Sequence, residues 1–164
     1  VNRCACGVEL PTRAGRGRRA RHCSNACRQR AYRARQVPPA LAAGVRWVRA
    51  AGKRPITLGG RPASSTDPLT WSTFAAVRAS QAGDGFGVML GGGLGCYDLD
   101  HVTDREARAF LASVPEPIVY VERSTSGTGV HVFVAAEEGP GWRRGNVERY
   151  TRGRFIRVTL DAFA

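Results

Sequence analysis

The sequence predicts an α+β protein, with a mixed domain over residues 37–164 preceded by a small basic metal-binding element over residues 1–36. Three observations carry this. Short apolar runs, bounded by glycines and polar turns, recur through the second half and are interleaved with short helical patterns. Four of the five cysteines, Cys4, Cys6, Cys23 and Cys27, fall in the first segment. The charge is unevenly divided: residues 1–36 hold ten arginines against the single acid Glu9, or +9, whereas residues 37–164 contribute +3 to the net +12.

Composition excludes several classes. At 43% hydrophobic residues in 164 the chain can build a core, but no apolar run approaches the ~20 residues that span a bilayer. No apolar leader segment precedes the arginine-rich start, so the expected compartment is the cytoplasm and no membrane partner is expected. Concentrated positive charge in such a chain points first to nucleic acid.

In the first segment, Cys4-Ala5-Cys6-Gly7 is followed by Cys23-Ser24-Asn25-Ala26-Cys27. Without a secretory signal, clustered cysteines suggest a metal before disulfides. Ser24 or Asn25 can cap a helix through Arg28, Arg30, Arg33 and Arg35. One cysteine pair on a Gly turn and one at a helix start can close a tetrahedral zinc site. Free or redox-active thiols are the other reading, and His22 could replace one cysteine. The segment resembles a zinc-ribbon-like element of actinobacterial and phage proteins, matching best at Cys23, Ser24, Cys27, Arg28, Gln29, Arg30 and Ala31. The helix arginines are expected to meet phosphates, against the alternative of a solvated basic tail.

Val37-Pro38-Pro39 reads as a hinge. Residues 40–49 read as a helix, with Leu41, Val45 and Val48 on one face. Residues 66–77 read as a second, capped helix, with Trp71 and Phe74 facing the core. Residues 85–90 are apolar and glycine-bounded, hence a buried strand. In Gly95-Cys96-Tyr97-Asp98-Leu99-Asp100, a strand would place Asp98 and Asp100 on one face. That pair suits magnesium or manganese, which prefer oxygen ligands; two solvated surface acids are the plainer reading. Thr103 begins a helix with Glu106 at the capping-box position. Residues 118–122 and 130–134 read as strands about a Ser124–Gly129 turn, and His131 beside that turn could touch a phosphate or serve a structural role. Glu148 and Tyr150 sit on a strand that reads as one arm of a hairpin around Thr151-Arg152-Gly153. Arg152 and Arg154, close after a carboxylate, suit a triphosphate.

Taken in order, Cys96-Tyr97-Asp98-Leu99-Asp100, Ser124 through His131, and Glu148-Arg149-Tyr150 with Gly153-Arg154-Phe155 resemble the three motifs of the archaeo-eukaryotic primase superfamily. The closest likeness is to the bifunctional DNA primase/polymerase N-terminal domain of phages and plasmids. Lys53-Arg54-Pro55 and the stretch from Ala63 to Trp71 also fit. The resemblance implies an RRM-like catalytic fold with a mostly antiparallel sheet. It implies Asp98, Asp100 and Glu148 as ligands of Mg²⁺ or Mn²⁺, His131 on the nucleotide's phosphates, and Arg154, Ser126 and Lys53 helping to hold the triphosphate. The implied activity is that of a DNA-dependent nucleotidyltransferase making or extending primers by a two-metal mechanism in phage or plasmid replication, with NTP or dNTP and a single-stranded DNA template as partners, in a bacterial or phage-infected cell.

The alternative is a non-catalytic DNA-binding replication or regulatory protein on a decayed primase fold; a metal nuclease is a third reading. The catalytic portion is short for the family and stops soon after Val158-Thr159. A separate helicase or primase C-terminal domain is therefore an expected partner.

Overall fold

The computed structural model describes residues 2–4, 6–10, 20–34 and 36–163. They fall into two units, Val1–Gln36 and Val37–Ala164. In the first, Gly7 adopts a left-handed φ of 89° and closes a turn in which its N–H donates to the Cys4 carbonyl at 2.8 Å. Helix α1 (Asn25–Ala34) follows, its entry capped by the Ser24 hydroxyl, which accepts from the Cys27 N–H at 3.2 Å. The side chains of Arg30 and Arg33, and Arg35 altogether, lie outside the described residues. Among those described in this unit only Cys4 and Leu10 are buried.

The second unit begins with helix α2 (Pro39–Ala42), Pro at its first position. Strands β1 (Val45–Ala51), β2 (Arg54–Ile56), β3 (Ser72–Thr73), β4 (Gly85–Met89) and β10 (Phe155–Val158) form one sheet. Strands β5 (Leu94–Leu99), β6 (Ile118–Arg123), β7 (Val130–Ala135), β8 (Trp142–Arg144) and β9 (Val147–Tyr150) form the other. The strand orders are β10-β4-β1-β2, with β3 also on β1, and β6-β7-β5-β9-β8. Every strand pairing is antiparallel. Helices α3 (Phe74–Ala79) and α4 (Asp104–Leu111) complete the unit. It is thus a mixed α/β architecture of antiparallel sheets, and among the described residues no helix is long and apolar enough to cross a membrane.

Three local expectations are corrected. The helix expected over residues 40–49 stops at Ala42: Gly44 takes a φ of 79°, and the Val-Arg-Trp-Val run after it becomes β1, paired with β2, β3 and β4. β-branched and aromatic side chains on a doubly paired strand outweigh a helical spacing. The single helix over residues 66–77 is instead a 3₁₀ turn (Pro68–Thr70) capped by Asp67, then β3, then α3 capped by Thr73. The expected hairpin about Thr151–Gly153 does not form. β9 pairs with β5 and β10 with β4, so the intervening segment passes from one sheet to the other, turning at Gly153 with a φ of 62°.

The sheets share a core. Trp47, Val88 and Ile156 of the first pack in one cluster with Leu94, Cys96 and Phe133 of the second. On the opposite face of the second sheet, Tyr97, Leu99 and Val132 pack against Ala107 and Phe110 of α4, whose start carries the full Thr103/Glu106 capping box. Side chains at Leu94, Cys96 and Asp98 therefore face the inter-sheet space, by alternation.

Strand β4 approaches β10 closely. A Cβ at Gly87 would stand 2.2 Å from the Ile156 carbonyl oxygen and 2.5 Å from the Phe155 ring. Gly87→Ala is expected to cost about 1–3 kcal/mol through overpacking. In urea this reads as a lower midpoint at an unchanged slope; an unaltered midpoint would contradict the packing.

Candidate active site

The polar residues of the second sheet fall into one row because of its register. Asp98 on β5 is directly opposite His131 on β7 and Glu148 on β9. His131 is in turn opposite Glu122 on β6, and Glu148 opposite Arg143 on β8. Directly opposed residues project to the same face. The row Glu122–His131–Asp98–Glu148–Arg143 therefore runs across all five strands on the face turned toward the inter-sheet core.

Its members interact. His131 Nε2 lies 3.7 Å from Asp98 Oδ1, and His131 Nδ1 lies 3.0 Å from Glu122 Oε1. Glu148 is held from three sides: Arg143 Nη1 at 3.1 Å, Arg154 Nη2 at 3.6 Å, and the Tyr150 hydroxyl, which donates at 2.9 Å. Arg154 also stacks over the Tyr150 ring, 4.5 Å from its centre. Burial pushes the Asp98 carboxyl above the ordinary range; nearby His131 opposes this, while the charges of Asp100 and Glu148 add to it. The Tyr150 hydroxyl is likewise raised, first by its bond to Glu148 and then by burial.

Asp100 lies one residue past the end of β5, and its N–H donates to the Asn146 carbonyl at 2.9 Å, continuing the β5–β9 pairing. His101 then turns the chain with a φ of 52°. Ser126 is exposed on the β6–β7 turn, in a chain of hydroxyls linking Ser124 (3.0 Å) and Thr128 (3.1 Å). Lys53 sits elsewhere, exposed in the two-residue turn between β1 and β2 on the other sheet. Asp98, His131, Glu148 and Arg154 are thus brought together, Asp100 acts on Asp98 through its charge, and Lys53 forms no hydrogen bond or ion pair with them. A separate open cavity of about 580 Å³ is lined by Arg46, Ser65, Thr66, Trp71 and Arg152 among others, and by none of the row.

Asp98 is coupled to Asp100 and Glu148 through charge, and carboxylate oxygens of this kind could hold a hard divalent cation. They stand further apart than the cysteines do. The sulfurs of Cys4, Cys6, Cys23 and Cys27 all lie within 4.8 Å of one another, the only such gathering among the described residues. His22 is not part of it. The Cys4 thiol is brought down to about 6, chiefly by the Cys6 N–H, whereas Cys23 is pushed up to about 12 by the thiols of Cys6 and Cys27. This cluster could hold a metal such as zinc.

Sequence reasoning missed Glu122. The sequence shows it only as the last residue of a strand, yet its side chain is fully buried. The signal was available in the period: Tyr120 and Glu122 share a face, so an inward Tyr120 implies an inward Glu122.

Two comparisons bear on this arrangement. A DNA primase-polymerase of Nitratiruptor phage NrS-1 is 32% identical, over 63% of this chain and 17% of that protein, so the chain spans about a sixth of the length of this relative. The family model for the bifunctional DNA primase/polymerase N-terminal domain matches residues 28–161, which takes in both sheets and every member of the row. The chain belongs to the bifunctional DNA primase/polymerase N-terminal family.

Proposed function

We propose that this chain is a template-dependent nucleotidyltransferase that makes or extends primers in DNA replication. The observation that carries the reading is the register that sets Asp98 between His131 and Glu148 on adjacent strands. Asp98, Asp100 and Glu148 are the residues to hold Mg²⁺ or Mn²⁺, which supplies activation of a 3′-hydroxyl and neutralises the departing pyrophosphate. The protein's own groups do the rest. His131 Nε2 faces the row and is placed to contact a phosphate oxygen. Arg154 and Arg143, both on Glu148, are cations that a triphosphate can recruit. Ser126 on its hydroxyl-lined turn, and Lys53 from the other sheet, are assigned to the phosphates on the family resemblance.

The cysteine cluster is proposed to hold structural zinc, since four sulfur ligands leave no position open for chemistry. The arginine-rich α1 that starts at this cluster is proposed to grip the DNA backbone, with the salt dependence that phosphate contacts impose. The cytoplasm of a bacterial or phage-infected cell, an RRM-like catalytic fold and a separately encoded helicase or primase C-terminal partner remain parts of this proposal.

The test is incorporation of labelled NTP or dNTP on primed and unprimed single-stranded DNA, with Mg²⁺ or Mn²⁺. Cation-dependent product is expected in at least one combination. DNA binding with no product in any of them would favour a non-catalytic replication protein instead.

A further inference from the structure

A fully buried carboxylate needs compensation, because desolvating a charge without partners is costly. Glu122 is 0% exposed and, among the described residues, no arginine or lysine forms an ion pair with it. Its partners are of two kinds. Thr159 N–H donates to both carboxylate oxygens, at 3.1 and 3.0 Å, and Leu160 N–H donates at 2.9 Å. The remaining partner is His131 Nδ1, at 3.0 Å from Oε1.

The backbone side of this site is built at a cost. Leu160 has a φ of 58°, a left-handed conformation that a Leu adopts only under strain. Successive N–H groups converge on one anion where the chain turns in this way. Residues 159–163 are then fastened to the outer edge of β6: Arg123 N–H donates to the Asp161 carbonyl at 2.8 Å, and Phe163 N–H to the Val121 carbonyl at 3.0 Å. The Thr159 hydroxyl adds a bond to the Arg123 carbonyl at 2.7 Å. This strap therefore fixes Glu122, and Glu122 faces the imidazole.

The structure assigns Glu122 as the positioning residue of His131: its carboxylate, clamped by the strap, takes the Nδ1–H and so presents Nε2 to Asp98 and the nucleotide site. An ionised carboxylate can only accept, so the hydrogen on this bond belongs to Nδ1. The proton placement on a histidine is set by the bond its other nitrogen makes. The role of the presented Nε2 rests on the nucleotidyltransferase reading above; the proton placement does not.

Glu122→Gln separates positioning from mere attachment of the strap. An amide has one accepting oxygen, which the two strap N–H groups claim, so its NH₂ turns toward His131. Nδ1 must then accept, and the ring proton moves to Nε2. The chain has three histidines, His22, His101 and His131. Their ¹⁵N spectra can be assigned with a His131→Asn control. A proton on His131 Nδ1 in the wild type, and a bare Nδ1 in E122Q, is the expected result. A bare Nδ1 in the wild type, or Nδ1 protonated in both, would overturn the assignment. Should E122Q fail to fold, the wild-type spectrum decides alone.

A phosphate oxygen only accepts, so Nε2 donates to it when the ring carries a proton on each nitrogen. That state is open to a ring that gives its Nδ1–H to a carboxylate and closed to one whose Nδ1 accepts from an amide. In the incorporation assay E122Q should therefore raise the nucleotide KM about 10-fold, the scale of losing an orienting partner of a functional histidine, with a smaller change in kcat. An unchanged KM with a moved proton would also overturn the role in nucleotide positioning. If the wild type incorporates nothing, the nucleotidyltransferase reading fails while the spectra still decide on Glu122.

Discussion

Asp98→Asn is expected to abolish cation-dependent incorporation while raising the melting temperature of the metal-free protein. Both effects follow from the same placement. Asp98 is mostly buried at the centre of the row, with Asp100 and Glu148 as like charges, and burial first and then those charges raise its carboxyl above the ordinary value. The folded protein therefore binds a proton there more tightly than the unfolded chain does. Below the unfolded value the contribution is fully present, and stability is lost as pH rises through the window up to the raised folded value. In its charged form Asp98 is a liability that His131 and Arg154 offset in part and that a bound cation would relieve further.

Asn keeps the shape and removes the charge. Each kcal/mol recovered should appear as about 2–4 °C in a chain of this size. Losing a metal ligand removes several kcal/mol of transition-state stabilisation, and about 4 kcal/mol corresponds to roughly 10³-fold in rate. Melting curves in chelator, with and without added Mn²⁺, check the first part. The wild type should gain stability with Mn²⁺ by mass action and the variant should not. A variant that melts lower than the wild type in chelator, or that still incorporates at the wild-type rate, would remove Asp98 from the proposed role.

What the sequence made readable was whatever is fixed locally. The Thr103/Glu106 capping box is four consecutive residues, and it forms as read. The alternation of residues 96–99 and 130–134 put Asp98 and His131 on defined faces, because the period of a strand leaves no choice. Partner choice was not readable. Val147–Tyr150 and Phe155–Val158 look like a hairpin around a Gly turn, yet each finds its partner, β5 or β4, 48 to 72 residues earlier in the chain. Leu41, Val45 and Val48 have helical spacing, yet Gly44 breaks the run and β1 is claimed by its neighbours. Glu122 escaped notice for the same reason. A glutamate at a strand end reads as solvated, and its burial depends on Thr159 and Leu160, the latter 38 positions along the chain.

Removing metal from the N-terminal unit is expected to unfold it while leaving the sheets intact. That unit has almost no core: Cys4 and Leu10 are its buried residues among those described, too little apolar area to offset the entropy of ordering the chain. What it has is sulfur. Cys23 Sγ lies 3.4 Å from both Cys6 Sγ and Cys27 Sγ. That is far beyond the ~2.05 Å of a disulfide and near the ~3.8 Å between sulfurs on a tetrahedral zinc with ~2.3 Å bonds. Structural zinc in small domains contributes about 10–16 kcal/mol of apparent binding energy, which is then folding energy. The prediction is about one zinc per chain by metal analysis. On adding a strong chelator, or in Cys23→Ser, the amide signals of residues 2–4, 6–10 and 20–34 should collapse to random-coil positions while those of β1–β10 stay in place. The larger unit has its own two-sheet core, so nothing in it depends on the sulfurs for packing. Affinity for single-stranded DNA should fall at the same time, together with the steepness of its salt dependence, because α1 is no longer held as a helix for its arginines to meet phosphates. If the amide spectrum of residues 2–4, 6–10 and 20–34 survives complete removal of zinc, the four thiols are not what folds this unit.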